Sequence, residues 1–183
     1  SPAVFIGYNS VHFDEHFLRQ GFYQSLYPPY VTNTGGNWRS DALRLVQAST
    51  IFAPQALQFP VWESGELTYR LDRLAPVNGF DPEAVHHDAM TDVHAMLHVC
   101  RILRTAAPDF WSSAIRLSRK PAILDFIATS SLFGLVEFFF AKPYAWAVAP
   151  LGHSDDLNGI CVFNLGGVAP ERLRTREHRP DEL

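Results

Sequence analysis

The sequence predicts an α/β chain in two parts, and three observations carry that reading. Val4-Phe5-Ile6 is a short apolar run of branched and aromatic residues ending at Gly7, the mark of a buried strand. Apolar residues from Ala89 to Leu103 then recur at three- and four-residue steps, as on one face of a helix. From Val136 onward the pattern changes to short runs of strand-forming residues separated by turn residues.

In chain order, the strand at Val4–Gly7 leads into Tyr8-Asn9-Ser10, after which Phe13, Phe17, Phe22 and Leu26 are spaced for a helix ending before Pro28-Pro29. Residues 32–37 read as loop. Ser40 or Asp41 is placed to cap a helix through Leu43, Leu45, Val46 and Ala48 that stops before Pro54. Thr68 is placed to cap a short helix with Leu71 and Leu74, closed by Pro76 and the Asn78-Gly79 turn. The longest helix starts at Asp88, with Ala89, Val93, Met96, Leu97, Cys100 and Leu103 as its apolar stripe. Pro108 ends it and is expected to mark a domain boundary, between 1–107 and 108–183. A helical stretch from Phe110 to about Ala128 is interrupted at Pro121. Residues 136–140, 144–149 and 160–165 read as strands, and the charged tail after Arg172 as frayed.

Composition narrows the function. With 183 residues, 47% of them hydrophobic, the chain is long enough for a real core and too apolar for disorder. Two cysteines, Cys100 and Cys161, make no disulfide framework and have no CxxC partner, so both are expected to be reduced thiols in a cytoplasmic protein. The longest apolar run, Leu132 to Ala141, contains Glu137 and falls far short of the ~20 residues that span a bilayer, so no membrane partner is expected. The net charge of −4 argues mildly against nucleic acid, because phosphate recognition rests on Lys and Arg. The 15 basic residues are nearly all Arg, however, the residue suited to bidentate phosphate pairing, and Arg101, Arg104, Arg116, Arg119 and Lys120 form a local basic run.

Three stretches carry chemistry. Asn9-Ser10-Val11-His12-Phe13-Asp14 follows a strand directly and places Asp14 where a helix starts, a common position for a site in sheet-centred folds. An acidic residue there equally suits the helix dipole. His87-Asp88-Ala89-Met90-Thr91-Asp92 opens the long helix: a neutral His suits proton abstraction near pH 7, and an Asp supplies a hard oxygen for Mg²⁺ or Mn²⁺. The same residues also serve as an N-cap and a wet helix face. Tyr69-Arg70-Leu71 sets an Arg beside an aromatic, a pair able to hold a phosphate and stack on a base, or simply a solvated Arg. His94 and His98, spaced i, i+4, lack the Glu of HExxH and a third ligand.

Asn-x-x-x-Phe-Asp after a strand, then His-x-Ala-x-x-Asp opening a helix, resembles the second and third motifs of the DEDDh exonucleases, RNase H-like 3′→5′ nucleases related to DnaQ. Phe5-Ile6-Gly7-Tyr8-Asn9, Tyr69-Arg70-Leu71 and Trp146-Ala147-Val148-Ala149-Pro150-Leu151 extend the likeness from residue 4 to about 166, toward the bacterial branch that degrades single-stranded DNA. The resemblance implies an RNase H-like exonuclease fold followed by the beginning of an SH3-like β-barrel extension. It implies two Mg²⁺ ions (Mn²⁺ as substitute) held by four carboxylates. Asp14 matches an indirect metal ligand, Asp92 a direct ligand and His87 the general base. Arg70, with Tyr69, Arg19 and Tyr30, falls where the family lines its DNA path. Single-stranded DNA, a single-stranded-DNA-binding protein and a monomeric state are the implied partners and assembly. Oligoribonuclease and proofreading relatives are usually single compact domains, and the β-rich segment after Pro108 points away from them.

One departure stands out. The family's first motif, Asp-x-Glu on an opening strand, has no match: residues 1–13 contain no acid, and the only Asp-x-Glu is Asp81-Pro82-Glu83 in a loop. The chain is therefore expected to be N-terminally incomplete with respect to the nuclease fold, and inactive alone. The alternative is a catalytically inactive nucleic-acid-binding module of the same fold.

Overall fold

The computed structural model describes residues 2–11, 13–81, 89–139, 142–154 and 159–166. They form two compact units. Residues Ser1–Ile123 with Phe138–Pro143 make the first, and Leu124–Glu137 with Tyr144–Leu183 the second. The boundary expected from sequence, Pro108, lies inside the first unit as the opening residue of a helix.

In the first unit, β1 (Val4–Gly7) pairs in parallel with β2 (Trp38–Asp41), in register Val4 with Trp38 through Gly7 with Asp41. A parallel pair requires a crossover, and α1 (Asp14–Gln24) lies within it. Then come α2 (Ala42–Phe52), α3 (Leu71–Val77), α4 (described from Ala89 to Ala106) and α5 (Pro108–Leu117). The apolar core joins α2, α3 and α4: Val46, Leu74, Val99 and Leu103 are fully buried, with Leu45, Leu57 and Tyr69 around them. Burying such side chains is the main favourable term in folding, at ~25 cal/mol per Å² of apolar surface.

Several elements differ from the sequence expectation. The strand β2 was not foreseen, since Trp38-Arg39-Ser40-Asp41 shows no apolar alternation. It exists because β1 offers it a ladder, which Trp38 N extends by donating to Ala3 O at 3.1 Å. The buried stripe of α4 is Ala95, Met96, Val99, Cys100 and Leu103, while Ala89, Val93 and Leu97 are exposed. The apolar stripe of α1 is exposed too, at Phe13, Phe17 and Leu26. Between the two candidate caps of α2, Asp41 does the work, accepting from Leu43 N at 3.0 Å. Thr68 instead accepts from Arg70 N at 3.3 Å, closing a local turn before α3, whose N-cap residue Arg70 makes no side-chain cap bond. Pro76 lies inside α3, and the helix ends with Asn78 Nδ2 donating to Leu74 O at 2.8 Å.

A helix α6 (Lys120–Thr129) follows, with Pro121 in its first turn and the break from α5 at Ser118-Arg119. Three strands, β3 (Phe133–Phe139), β4 (Lys142–His153) and β5 (Ile160–Asn164), form a sheet in that order. β4 and β5 are antiparallel, with a register shift between Pro150 and Gly152. Among the described residues this is a three-stranded sheet and not a closed barrel. No helix among them is long and apolar enough to cross a membrane.

Candidate functional site

The first unit holds a cleft of about 1080 Å³. Its wall begins where β1 ends. A Cβ added at Gly7 would lie 2.4 Å from Ser10 Cβ, so only glycine admits the tight return of the chain over the strand end. Asn9 then takes a left-handed backbone conformation (φ 59°), which Asn tolerates better than most residues. The Asp41 carboxylate fixes this segment from below: it accepts from Asn9 N at 2.8 Å while capping α2. The segment delivers Asp14 at the start of α1.

Asp14, Asp92, Tyr69 and Arg70 all line this cleft, though they come from three separate parts of the chain. Asp14 is in the first turn of α1 and Asp92 in the first turn of α4, both exposed to solvent. Asp72, Glu15 and Thr32 line it as well. Arg70 is held in two parallel hydrogen bonds by Asp72, Nε to Oδ1 and Nη2 to Oδ2, each 3.0 Å. This fork pulls the Asp72 carboxyl below the usual carboxylate range.

Tyr69 differs from its expected use. Its ring is 5% exposed and packs edge-on against Phe59 and Phe138, so it offers no face for stacking on a base. Burial holds its phenol above the usual tyrosine range. What Tyr69 supplies is a fixed backbone: its carbonyl accepts a hydrogen bond from the Tyr8 hydroxyl, tying the segment before α3 to the end of β1. Burial, with Asp41 and Cys100 nearby, pushes the Tyr8 phenol up as well, so it stays protonated as a donor.

Arg19 and Tyr30 are not among the cleft-lining residues. They engage each other, with the Arg19 guanidinium 5.2 Å from the Tyr30 ring centroid. Within the basic run, Arg119 lies 4.8 Å over the Trp38 ring, and Arg104 and Arg116 close the last turns of α4 and α5, where a cation suits the helix dipole. His98 Nε2 donates to the Asn78 carbonyl at 2.9 Å, which ties the ring to the end of α3. His87 lies outside the described residues.

The donor chemistry of Asp14 and Asp92 fits a hard divalent cation: two carboxylates, exposed in one cleft. Among the described residues no group of three or more His, Cys, Asp or Glu could hold a metal ion. Sequence reasoning missed Glu15, the buried neighbour of Asp14, and foresaw Asp41 only as a cap of α2, not as the acceptor of Asn9 N. Neither of these roles has a local signal, because Arg39 and Asn9 lie 24 and 32 residues from the carboxylates they meet.

The fold and cleft place acidic residues at the starts of two helices, beside the end of a parallel strand pair. In both sequence and structure the chain is similar to bacterial exodeoxyribonuclease I. It is 28% identical over 181 residues to exodeoxyribonuclease I of Escherichia coli K12, covering 88% of this chain and 35% of that protein. The structure of E. coli exonuclease I in complex with a dA16 oligonucleotide superposes with a TM-score of 0.71 at 25% identity, over 98% of this chain and 41% of that one. An ExoI/SSB-Ct complex also matches with a TM-score of 0.71, at 27% identity over 92% of this chain and 37% of that one. The chain thus spans about a third of the length of the curated relatives it matches. No protein-family model matches it.

Proposed function

We propose that these residues form part of a Mg²⁺-dependent 3′→5′ exonuclease that hydrolyses single-stranded DNA to 5′-mononucleotides in repair and recombination. The observation that carries the reading is the cleft. It gathers Asp14, Asp92 and Arg70, the residues singled out by motif order, from three separate segments. The likeness to exodeoxyribonuclease I supports it, and the dA16 and SSB-Ct complexes of those relatives support single-stranded DNA and a single-stranded-DNA-binding protein as partners.

In this reading Asp92 would supply a carboxylate oxygen to the metal directly and Asp14 would hold it through a water. Bound Mg²⁺ would acidify the attacking water and stabilise the leaving oxygen. His87 takes the proton of that water, as the base whose ordinary pKa suits the task. Arg70 pairs with a backbone phosphate, for which its fork must leave Asp72. Residues 1–107 contribute this nuclease part, and the β3–β5 sheet belongs to an SH3-like extension. Two carboxylates are too few for a two-ion site, so the remaining acids come from outside the described residues. β1 is paired on one edge only among the described strands, which leaves a place for a further strand carrying them.

The test uses the product of the whole reading frame containing these residues. His87→Ala lowers turnover on a single-stranded oligonucleotide by ~10²–10⁴-fold, the range for a lost general base, while oligonucleotide affinity stays unchanged. Wild-type turnover in that variant removes His87 from the mechanism.

A further inference from the structure

The seating of α1 is unusual for a helix beside a cleft. The only residue it buries is a carboxylate, Glu15, which is 5% exposed. Of its apolar residues, Phe17, Leu18 and Tyr23 are exposed and Phe22 is half-buried, and its N-cap residue Phe13 makes no side-chain cap bond. Its first turn is joined to the preceding segment by Glu15 N donating to Ser10 O at 3.1 Å, and to β2 and the loop before it by one side-chain oxygen. Glu15 Oε2 accepts from Arg39 Nη1 at 2.9 Å and from Thr32 Oγ1 at 3.0 Å, with Arg19 Nη2 3.8 Å away one turn along the helix. Arg39 belongs to β2, and Thr32, itself 4% exposed, to the loop before it. A buried carboxylate satisfied by two donors and a second guanidinium is a stiff joint. Removing its charge leaves guanidinium groups uncompensated, which is costly.

We propose that Glu15 is a positioning residue for Asp14. Through Arg39 and Thr32 it fixes the first turn of α1 against β2, and thereby sets the neighbouring carboxylate in the cleft that Asp14, Glu15 and Thr32 line together. This rests on the reading of Asp14 as a metal ligand. Glu15 touches neither ion nor substrate in this account; its role is to keep the Asp14 carboxylate in register with Asp92. Precise placement of ligands by a hydrogen-bonded supporting layer is how metal sites keep their geometry.

The experiment uses the product of the whole reading frame containing these residues and compares it with Glu15→Gln, which keeps the shape and removes the charge, and with Thr32→Val, a milder change that removes one hydrogen bond. Two NMR readouts are taken: amide hydrogen exchange along α1 and α4, and Mn²⁺-induced broadening at Asp14 and Asp92. The expected result for Glu15→Gln is exchange in the first turns of α1 faster by about tenfold, with Val99 and Leu103 unchanged. Joint broadening of Asp14 and Asp92 then requires about tenfold more Mn²⁺ than in wild type. Thr32→Val shifts both in the same direction by a smaller factor. Unchanged exchange in α1 for both variants overturns the proposal. So does faster exchange with an unchanged Mn²⁺ midpoint, which makes Glu15 merely structural. If wild type shows no broadening at either carboxylate, the metal reading fails, and the positioning role with it.

Discussion

Replacing Asp41 with Ala removes the carboxylate that joins β1 to α2. Three backbone N–H groups point at it: Asn9 at 2.8 Å, Leu43 at 3.0 Å and Val11 at 3.4 Å, and the residue is 9% exposed. Loss of the cap on α2 costs about 1 kcal/mol. The part-buried Asn9 N–H, left without its acceptor, costs about 1–2 kcal/mol more. The Val11 contact is too long to add much. The expected loss is therefore about 2–3 kcal/mol for Asp41→Ala. Asp41→Asn retains one acceptor oxygen and should lose about 1 kcal/mol. Urea unfolding followed by fluorescence of the four tryptophans measures both. The reasoning is refuted if Asp41→Ala costs under about 1 kcal/mol, or if Asn is as damaging as Ala.

The two thiols and the Arg70 fork give further tests. Burial pushes the Cys100 thiol up to about 11 from its ordinary 9.0. The folded state therefore holds that proton more tightly than the unfolded chain, a contribution that is full below pH 9 and lost as pH rises toward 11. Two units correspond to about 3 kcal/mol, so the unfolding midpoint should fall across this window and fall less in Cys100→Ala. At neutral pH a thiol reagent should label exposed Cys161 readily and buried Cys100 only on unfolding; equal labelling rates would contradict the burial. Asp72→Asn should release Arg70 from its fork and tighten single-stranded oligonucleotide binding in a fluorescence anisotropy titration, whereas Arg70→Ala should weaken it. Neither should shift the unfolding midpoint detectably, because the pair is exposed.

Much of the fold was legible where periodicity and burial coincide. Leu45, Val46, Leu74 and Leu103, read as apolar helix positions, are core residues, and β3 to β5 fall on or around the runs expected to form strands. Of the residues marked in the sequence as candidate site residues, Asp14, Asp92 and Arg70 line one cleft, and His87 lies outside the described residues. The failures have physical causes. β2 carries no alternation of its own, because its pairing comes from β1. Phe13 and Phe17, read only as helix-spaced apolar residues, are exposed, and Glu15 is the residue buried, since its charge is met by Arg39 and Thr32 from elsewhere in the chain. On α4 the expected stripe shares Met96, Cys100 and Leu103 with the buried face, but that face runs on through Ala95 and Val99 where Val93 and Leu97 were expected. The phase depends on neighbouring helices, which a single segment does not encode.

The most direct measurement is Mg²⁺-dependent release of mononucleotides from a 3′-labelled single-stranded oligonucleotide by the product of the whole reading frame, with Asp14→Ala and Asp92→Ala beside wild type. The account predicts release that chelation abolishes and that each substitution reduces by at least ~10²-fold, with both variants still folded. Wild-type rates in either variant would contradict the assignment of these two carboxylates to the metal.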